Sequence, residues 1–423
     1  MFPAIRNYRR IRNVFSGDTI PYFPMTGTHF RESAGNLFHE PLFPAPEPGR
    51  FLRRINRFVI ECDCGGKIIQ AHLPNPGRLW ELLVPGRVIT LVRNAPGNER
   101  TTPYTAVAVV RDGATVLLHT AKTNEVVRFL LRERLIPGLE GAEVVKREVT
   151  VGKSRFDFLL REGGENILLE VKSCTLFGRS LAMFPDAVSA RARRHLEELA
   201  AHAQTGCRCG VIFLIHSPQP AFFLPDYHTD YEFARTFQAQ RHRLFYRAVR
   251  VSWGEDLRLG RNIREAVIPW QLLRRECRDR GCYLLLLHLA ADTRLVVGAR
   301  GECRFPAGYY LYTGSARKDL SARLARHLRK GGKNFHRHVD YLREAAASCR
   351  ALPVRTPDDL ECELAAAVQR LALYAVPGFG SSDCSCPSHL FFMGGNDPLH
   401  HPGLLELLQY YRMDRLTLPY SGR

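Results

Sequence analysis

The stretch Arg155-Phe-Asp-Phe-Leu-Leu160, followed by Ile167-Leu-Leu-Glu-Val-Lys-Ser173, decides how the middle of this chain is read. Both are short apolar runs, which predict buried strands at 156–160 and 167–171. Asp157 interrupts the first run, and Glu170 and Lys172 interrupt the second. Side chains two apart in a strand share a face, so Glu170 and Lys172 point the same way, with Asp157 projecting from the neighbouring strand. Two carboxylates converging there bind Mg²⁺ or Mn²⁺ through oxygen. A metal so held polarises a phosphodiester and lowers the pKa of an attacking water. Lys172 then orients that water or stabilises charge on the phosphate. A solvated strand edge with a Glu–Lys pair is the structural alternative. The Asp in a matched strand, and a basic helix expected at 189–203, favour a site.

Outward from this pair the texture differs on the two sides. Toward the N-terminus, short strands punctuated by Gly and Pro are expected at 57–62, 67–72, 87–93, 104–110 and 115–119, as in a small all-β barrel. From Lys122 the pattern is mixed α/β, with a helix over 125–135 stopped by Pro137-Gly138 and a buried strand at 210–216. Residues 254–279 are dense in Arg, with Pro269 near the middle, and read as a linker. An apolar run at 282–289 opens a second α/β module that reaches about Pro402. Residues 1–44 show no sustained periodicity and read as a poorly ordered N-terminal extension, and 403–423 as a C-terminal tail.

The 423 residues carry 60 Lys and Arg against 42 Asp and Glu, a net charge of +18. That balance attracts polyanions, so nucleic acid is the expected partner and salt-sensitive binding the expected behaviour. The longest apolar run, 282–291, is too short to span a bilayer, and no apolar core follows the basic N-terminal residues. Neither a membrane span nor a signal peptide is expected. A cytoplasmic setting, with the twelve cysteines reduced, is the corresponding expectation.

Several segments around the first constellation are more specific: Ala71-His-Leu-Pro-Asn-Pro-Gly-Arg-Leu79, Thr123-Asn124, Ser154-Arg-Phe-Asp-Phe158, Glu170-Val-Lys-Ser173, Phe184-Pro-Asp-Ala-Val188 and Arg194-His-Leu-Glu-Glu-Leu199. Asp157 with Glu170-Val-Lys172 resembles the PD-(D/E)xK nuclease core. Together the segments resemble the sugar fermentation stimulation protein A family (SfsA) over residues 45 to about 253. The resemblance implies an OB-like nucleic-acid-binding barrel over 45–121 and a PD-(D/E)xK nuclease-like domain over 122–253, with DNA binding and nuclease activity. Asn75 and Arg78 lie in a Pro/Gly-rich loop that either contacts phosphate or simply turns. Arg191, Arg194 and His195 open the basic helix, as a solvated face or as a track for the phosphate backbone.

Farther along, Gly281-Cys-Tyr283 and Tyr312-Thr-Gly314 resemble the two strands of the GIY-YIG nuclease module, with an inserted hairpin around 298–308. Arg323 and His327 are four apart and share a helix face. The resemblance implies Tyr283 and Tyr312 flanking the nucleophile, Arg323 on phosphate, and Glu361 as metal ligand with Glu363 as its alternative. His338-Val-Asp-Tyr-Leu342 and the segment from Phe379 to Leu390 resemble an uncharacterised GIY-YIG-like domain, so 280–402 is read as one and its activity by analogy. Cys384, Cys386 and His389, with Cys362, read as Zn²⁺ ligands or as small buried residues.

The expected fold class is thus a multi-domain α/β protein: OB-like barrel, PD-(D/E)xK-like domain and GIY-YIG-like domain. The expected function is a Mg²⁺- or Mn²⁺-dependent phosphodiesterase acting on DNA, RNA or both. Asp157, Glu170 and Lys172 form its primary catalytic site. The alternative is a non-catalytic DNA-binding regulator of sugar metabolism genes.

Overall fold

The computed structural model describes residues 42–95, 102–332, 335 and 337–416. The extension read for 1–44 therefore lies outside the described residues except at 42–44, and the tail except at 403–416.

The first sheet is built from β1 (Glu47–Asn56), β2 (Val59–Cys64), β3 (Lys67–His72), β4 (Val88–Arg93), β5 (Tyr104–Arg111) and β6 (Ala114–Leu117). Its order is β3-β2-β1-β4-β5-β6, and a parallel β3–β5 pairing at Ala71↔Tyr104 closes the first five strands into a barrel. Alternation directs Phe51, Ile60, Cys62, Ile69, Ala71, Ile89 and Leu91 inward.

After α1 (Thr123–Arg132) come β7 (Glu143–Val151), β8 (Ser154–Glu162), β9 (Glu165–Cys174), β10 (Leu176–Phe177), β11 (Leu181–Phe184) and α2 (Ala190–Ala203). They are followed by β12 (Arg208–Ile215), β13 (Phe222–Pro225), α3 (Tyr231–Ala239), β14 (Phe245–Arg250), β15 (Arg264–Glu265) and α4 (Trp270–Glu276). The main sheet runs β15-β14-β12-β9-β8-β7, parallel at its centre and antiparallel at its edges. Parallel strands covered on both faces are apolar throughout, which is why 210–215 shows no alternation. Val211, Phe213 and Ile215 pack with Leu196, Leu199 and Phe233 beneath α2 and α3. Ile212 and Leu214 pack with Val126, Val127 and Leu130 of α1. α1 ends at Arg132, short of the expected stop at Pro137-Gly138, and Arg134 just beyond it takes a left-handed backbone (φ 58°).

The third sheet comprises β16 (Gly281–Leu289), the hairpin β17 (Thr293–Val296) and β18 (Glu302–Phe305) lying apart from it, β19 (Gly308–Ala316), β20 (Ser348–Arg355), β21 (Tyr374–Ala375) and β22 (Leu390–Gly394). Its order β20-β16-β19-β22-β21 is antiparallel throughout. α5 (Leu320–Leu328) and α6 (His338–Ala345) cover one face; α7 (Glu361–Gln369) and α8 (Pro402–Gln409) cover the other. β16 divides its side chains accordingly: Tyr283, Leu285 and Leu287 face α5 and α6, while Cys282, Leu284 and Leu286 face α7 and α8.

Two segments are more structured than their composition suggests. Within 254–279, read as a linker, α4 buries Leu273, and its Trp270 stacks on Phe237 at 5.3 Å. Within 403–416, read as tail, Leu404 and Leu408 bury against the third sheet and Met413 enters the first core. Buried His228 joins the modules, accepting from the Arg355 backbone N–H at 2.9 Å while its Nε2 meets the Arg412 carbonyl at 2.9 Å. No helix among the described residues is long and apolar enough to cross a membrane.

Candidate functional site

The β8–β9 ladder runs as far as Phe158↔Leu169 and then opens. One further step in that register sets Asp157 across from Glu170. Asp157 instead turns its carboxylate to the freed backbone: Oδ2 accepts from Val171 N–H at 2.8 Å and Oδ1 from Asn124 Nδ2 at 2.6 Å. Asn124 reaches it from the first turn of α1. Glu170 is 4% exposed, and its Oε1 accepts from Lys172 Nζ and meets His195 Nδ1 of α2 at 2.7 Å. Its Oε2 is buried with no hydrogen-bond partner among the described residues.

Burial and the nearby Glu170 charge push the Asp157 carboxyl up to about 6. Burial pushes Glu170 up as well, but the His195 hydrogen bond and the Lys172 charge outweigh it and hold this carboxyl below its ordinary value. One acid of the pair is thus firmly ionised while the other holds its proton more tightly. A cation would relieve the strain on ionised Asp157. The orphaned Oε2 beside a second carboxylate is the oxygen-donor set that a hard divalent ion requires, so the residues fit such a metal. Above them opens a cleft of about 410 Å³, lined also by Lys172, Asn75, Arg57 and Arg191.

The residues expected to contact nucleic acid divide between the interior and the cleft. His195, 2% exposed, is turned inward to hold Glu170 and offers nothing to a phosphate backbone. Arg191 stands exposed at the cleft with its Nε 3.4 Å from His195 Nε2, whereas Arg194 pairs with Glu198 at 3.7 Å. Asn75 is buried, its Oδ1 accepting from Gly77 N–H at 2.9 Å to close the turn. Arg78 donates to Thr229 Oγ1 at 2.7 Å and to the Asp186 carbonyl, and lies over the Trp80 ring at 4.4 Å. Those contacts tie the barrel to the α/β domain, a structural role beyond the phosphate contact or simple turn read for this loop. Arg57, from the barrel, is an exposed cation at the cleft, its Nε donating to the Pro76 carbonyl at 3.1 Å. Asn124 belongs in sequence only to the Thr123-Asn124 motif. Its amide role was not legible because its partner lies 33 residues away.

Residues 52–118 match the SfsA N-terminal OB domain, and residues 121–255 match the sugar fermentation stimulation protein RE domain. A sugar fermentation stimulation protein homolog of Methanothermobacter thermautotrophicus is 38% identical over 189 residues, 45% of this chain and 78% of the homolog. This chain belongs to the sugar fermentation stimulation protein family. A homolog from Chloroflexus aggregans is 39% identical over 193 residues, 45% of this chain and 73% of its own length. A solved structure, Pyrococcus furiosus SfsA in complex with Ca²⁺, is 30% identical, covering 53% of this chain and 96% of that one, with a TM-score of 0.49. Family membership makes the α/β domain restriction-endonuclease-like. Beyond the OB and RE domains, residues 282–403 of this family member match a domain of unknown function, DUF123.

That third region gathers the second constellation. The β16–β19 register pairs Tyr283 with Gly314. A Cβ on Gly314 would lie 2.5 Å from both Cζ and Oη of Tyr283, so the Tyr-x-Gly pattern exists to admit this ring. The ring is also held from the far side, where its hydroxyl meets His327 Nε2 at 3.0 Å. Gly314→Ala is therefore expected to destabilise the protein by about 1–3 kcal/mol through overpacking. A thermal melt of the variant would show it, and an unchanged midpoint would mean that the ring moves aside freely.

Arg323 donates to the Ser315 carbonyl at 2.7 Å, Ser315 Oγ donates to Glu361, and the other Glu361 oxygen meets His389 Nδ1 at 3.1 Å. Tyr283, Arg323, His327 and Glu361 thus assemble at one end of the β16–β19 pair. Burial pushes the Tyr283 phenol up to about 12 and raises Tyr312 as well. Glu363 turns away to accept from Tyr411 at 2.9 Å, so Glu361 is the acid that reaches this cluster. Ligand atoms of Cys362, Cys384, Cys386 and His389 lie within 4.8 Å of one another, a Cys₃His group able to hold a metal.

Proposed function

We propose that this protein is a divalent-metal-dependent nuclease that hydrolyses phosphodiesters at the Asp157–Glu170–Lys172 centre. The supporting observation is Glu170 Oε2, buried and unpartnered among the described residues, beside the half-buried Asp157 carboxylate in a cleft that Arg57, Lys172 and Arg191 also line. A platform meant only to bind phosphate gains nothing from two carboxylates, which repel an anion unless a cation intervenes. Asp157 and Glu170 would hold Mg²⁺ or Mn²⁺, which when bound supplies Lewis acidity and an acidified water. Asn124 and His195 keep the two carboxylates in place. Lys172 offers an ammonium to the charge developing on phosphate, and Arg57 and Arg191 meet the flanking backbone.

The C-terminal region is proposed to be a GIY-YIG-type second nuclease module. The ring of Tyr283 seated on Gly314, with Arg323, His327 and Glu361 around it, supports that reading. The test is cleavage of labelled single- and double-stranded DNA and RNA with Mg²⁺, Mn²⁺ or EDTA. Cutting is expected with either metal and none in EDTA. Activity that survives Glu170→Ala but is lost on adding Glu361→Ala belongs to the second module. Binding without cutting under every metal would end the nuclease reading in favour of a DNA-binding regulator.

A further inference from the structure

The four-residue group at the start of α7 carries more than its composition. Cys362 comes from the first turn of α7, while Cys384, Cys386 and His389 come from the run 376–389, which contains neither strand nor helix. Backbone bonds close its base, from Gly378 N–H to the Pro387 carbonyl at 2.7 Å and from His389 N–H to the Phe379 carbonyl at 2.8 Å, and a ligated ion would pin the turn between them to α7. In a tetrahedral site with Zn–S of about 2.3 Å and Zn–N of about 2.1 Å, adjacent ligand atoms stand about 3.5–3.8 Å apart. Cys384 Sγ and His389 Nε2 are 3.4 Å apart, and no pair in the group exceeds 4.8 Å. Side-chain rotations alone close the rest.

The orientation of His389 is the second observation. It turns Nε2 to the sulfurs and Nδ1 to Glu361 Oε1 at 3.1 Å. Metal-bound imidazoles are held in this way: the far nitrogen gives its proton to a carboxylate, which sets the tautomer and leaves the near nitrogen's lone pair for the metal. The other Glu361 oxygen accepts from Ser315, whose carbonyl takes Arg323. One carboxylate therefore stands between the thiol cluster and the Tyr283–Arg323 cluster.

We propose that Cys362, Cys384, Cys386 and His389 bind one structural Zn²⁺, and that Glu361 orients His389, linking the zinc to the Tyr283–Arg323 cluster. Three soft thiolates exclude Mg²⁺ and Ca²⁺, and four protein ligands leave no open position for water. On binding, the three thiols lose their protons to solvent and four ligand–metal bonds form, with no redox change. Glu361 is in this respect a positioning residue. The inference is independent of both nuclease readings, because its test measures metal and not cleavage.

The test is elemental analysis of the full chain purified without chelator, paired with Co²⁺ replacement. One zinc per chain is expected, and the Co²⁺ form should show thiolate charge-transfer bands with the intense visible bands of a tetrahedral ion. Cys386→Ser should lose both, while Cys303→Ser, in β18, should keep both. Glu361→Gln should still take up one zinc but yield it to a competing chelator about 10–100-fold more readily. Wild-type protein with no zinc and no charge-transfer band overturns the site, as does stoichiometric iron or copper in its place. A Glu361→Gln variant with wild-type zinc affinity overturns the link through His389. Should Cys386→Ser fail to fold, the wild-type metal content and cobalt spectrum decide the matter.

Discussion

Glu170→Gln is expected to lower metal-dependent cleavage by about 10²–10³-fold, the usual cost of removing one preorganised electrostatic group from a reacting centre. The substitution is nearly isosteric. It keeps an acceptor for His195 and Lys172, which hold the side chain through Oε1. What changes is the other atom: the orphaned Oε2 becomes an NH₂ group, a donor placed where a cation would sit. The loss should therefore appear chiefly as a need for more Mn²⁺, with nucleic-acid binding largely retained. Rates measured across a Mn²⁺ titration, with circular dichroism as a folding control, separate these effects. Cleavage within threefold of wild type at every Mn²⁺ concentration would remove Glu170 from the metal-binding set.

Asp157→Asn is expected to abolish cleavage and yet stabilise the metal-free protein at neutral pH. Its carboxyl titrates at about 6 in place of the ordinary 3.8, through burial first and the Glu170 charge second. A raised pKa means that the folded state binds the proton more tightly than the unfolded chain. The associated stability is fully present below pH about 4 and is lost as pH rises through about 6. Above that, the folded protein carries an ionised Asp157 at a cost of about 3 kcal/mol. Asparagine removes the charge and keeps an acceptor for Val171 N–H, while its amide can turn to the oxygen of Asn124. In EDTA the variant should outlast wild type in urea at pH 8 by up to that amount, and the two should converge near pH 4. Mn²⁺ should stabilise wild type at pH 8 and leave the variant unmoved. A variant less stable than wild type at pH 8 in EDTA would show that the ionised carboxylate is not strained.

How much of the site could be read from residues alone depends on distance along the chain. Asp157, Glu170 and Lys172 stand out because a charge inside an apolar strand is costly without a purpose, and the two strands are neighbours in sequence. Tyr283 and Gly314 were marked by spacing, and the register that pairs them follows from adjacent antiparallel strands. His195 was misread because a helix residue looks the same in sequence whether it faces solvent or a carboxylate 25 positions earlier. The docking role of Arg78 is illegible for a similar reason: its partners at Asp186 and Thr229 come into reach only when the barrel docks on the α/β domain. β7 leaves no apolar pattern in the sequence because an edge strand pairs on one side only and keeps a charged, exposed sequence.

Local pattern thus marked the succession of barrel, α/β domain and second α/β module, and singled out Asp157, Glu170 and Lys172 as charges set in apolar strands. Hydrophobic period and punctuation act over a few residues and leave a trace in the residues themselves. Tertiary packing alone decided which polar groups face the cleft, which brace those groups and which tie the modules together. A hydrogen bond spends one donor on one acceptor, and the chain's fold chooses among many equivalent candidates. The same holds for Glu361, an exposed-looking acid in a helical turn until the fold sets it between Ser315 and His389.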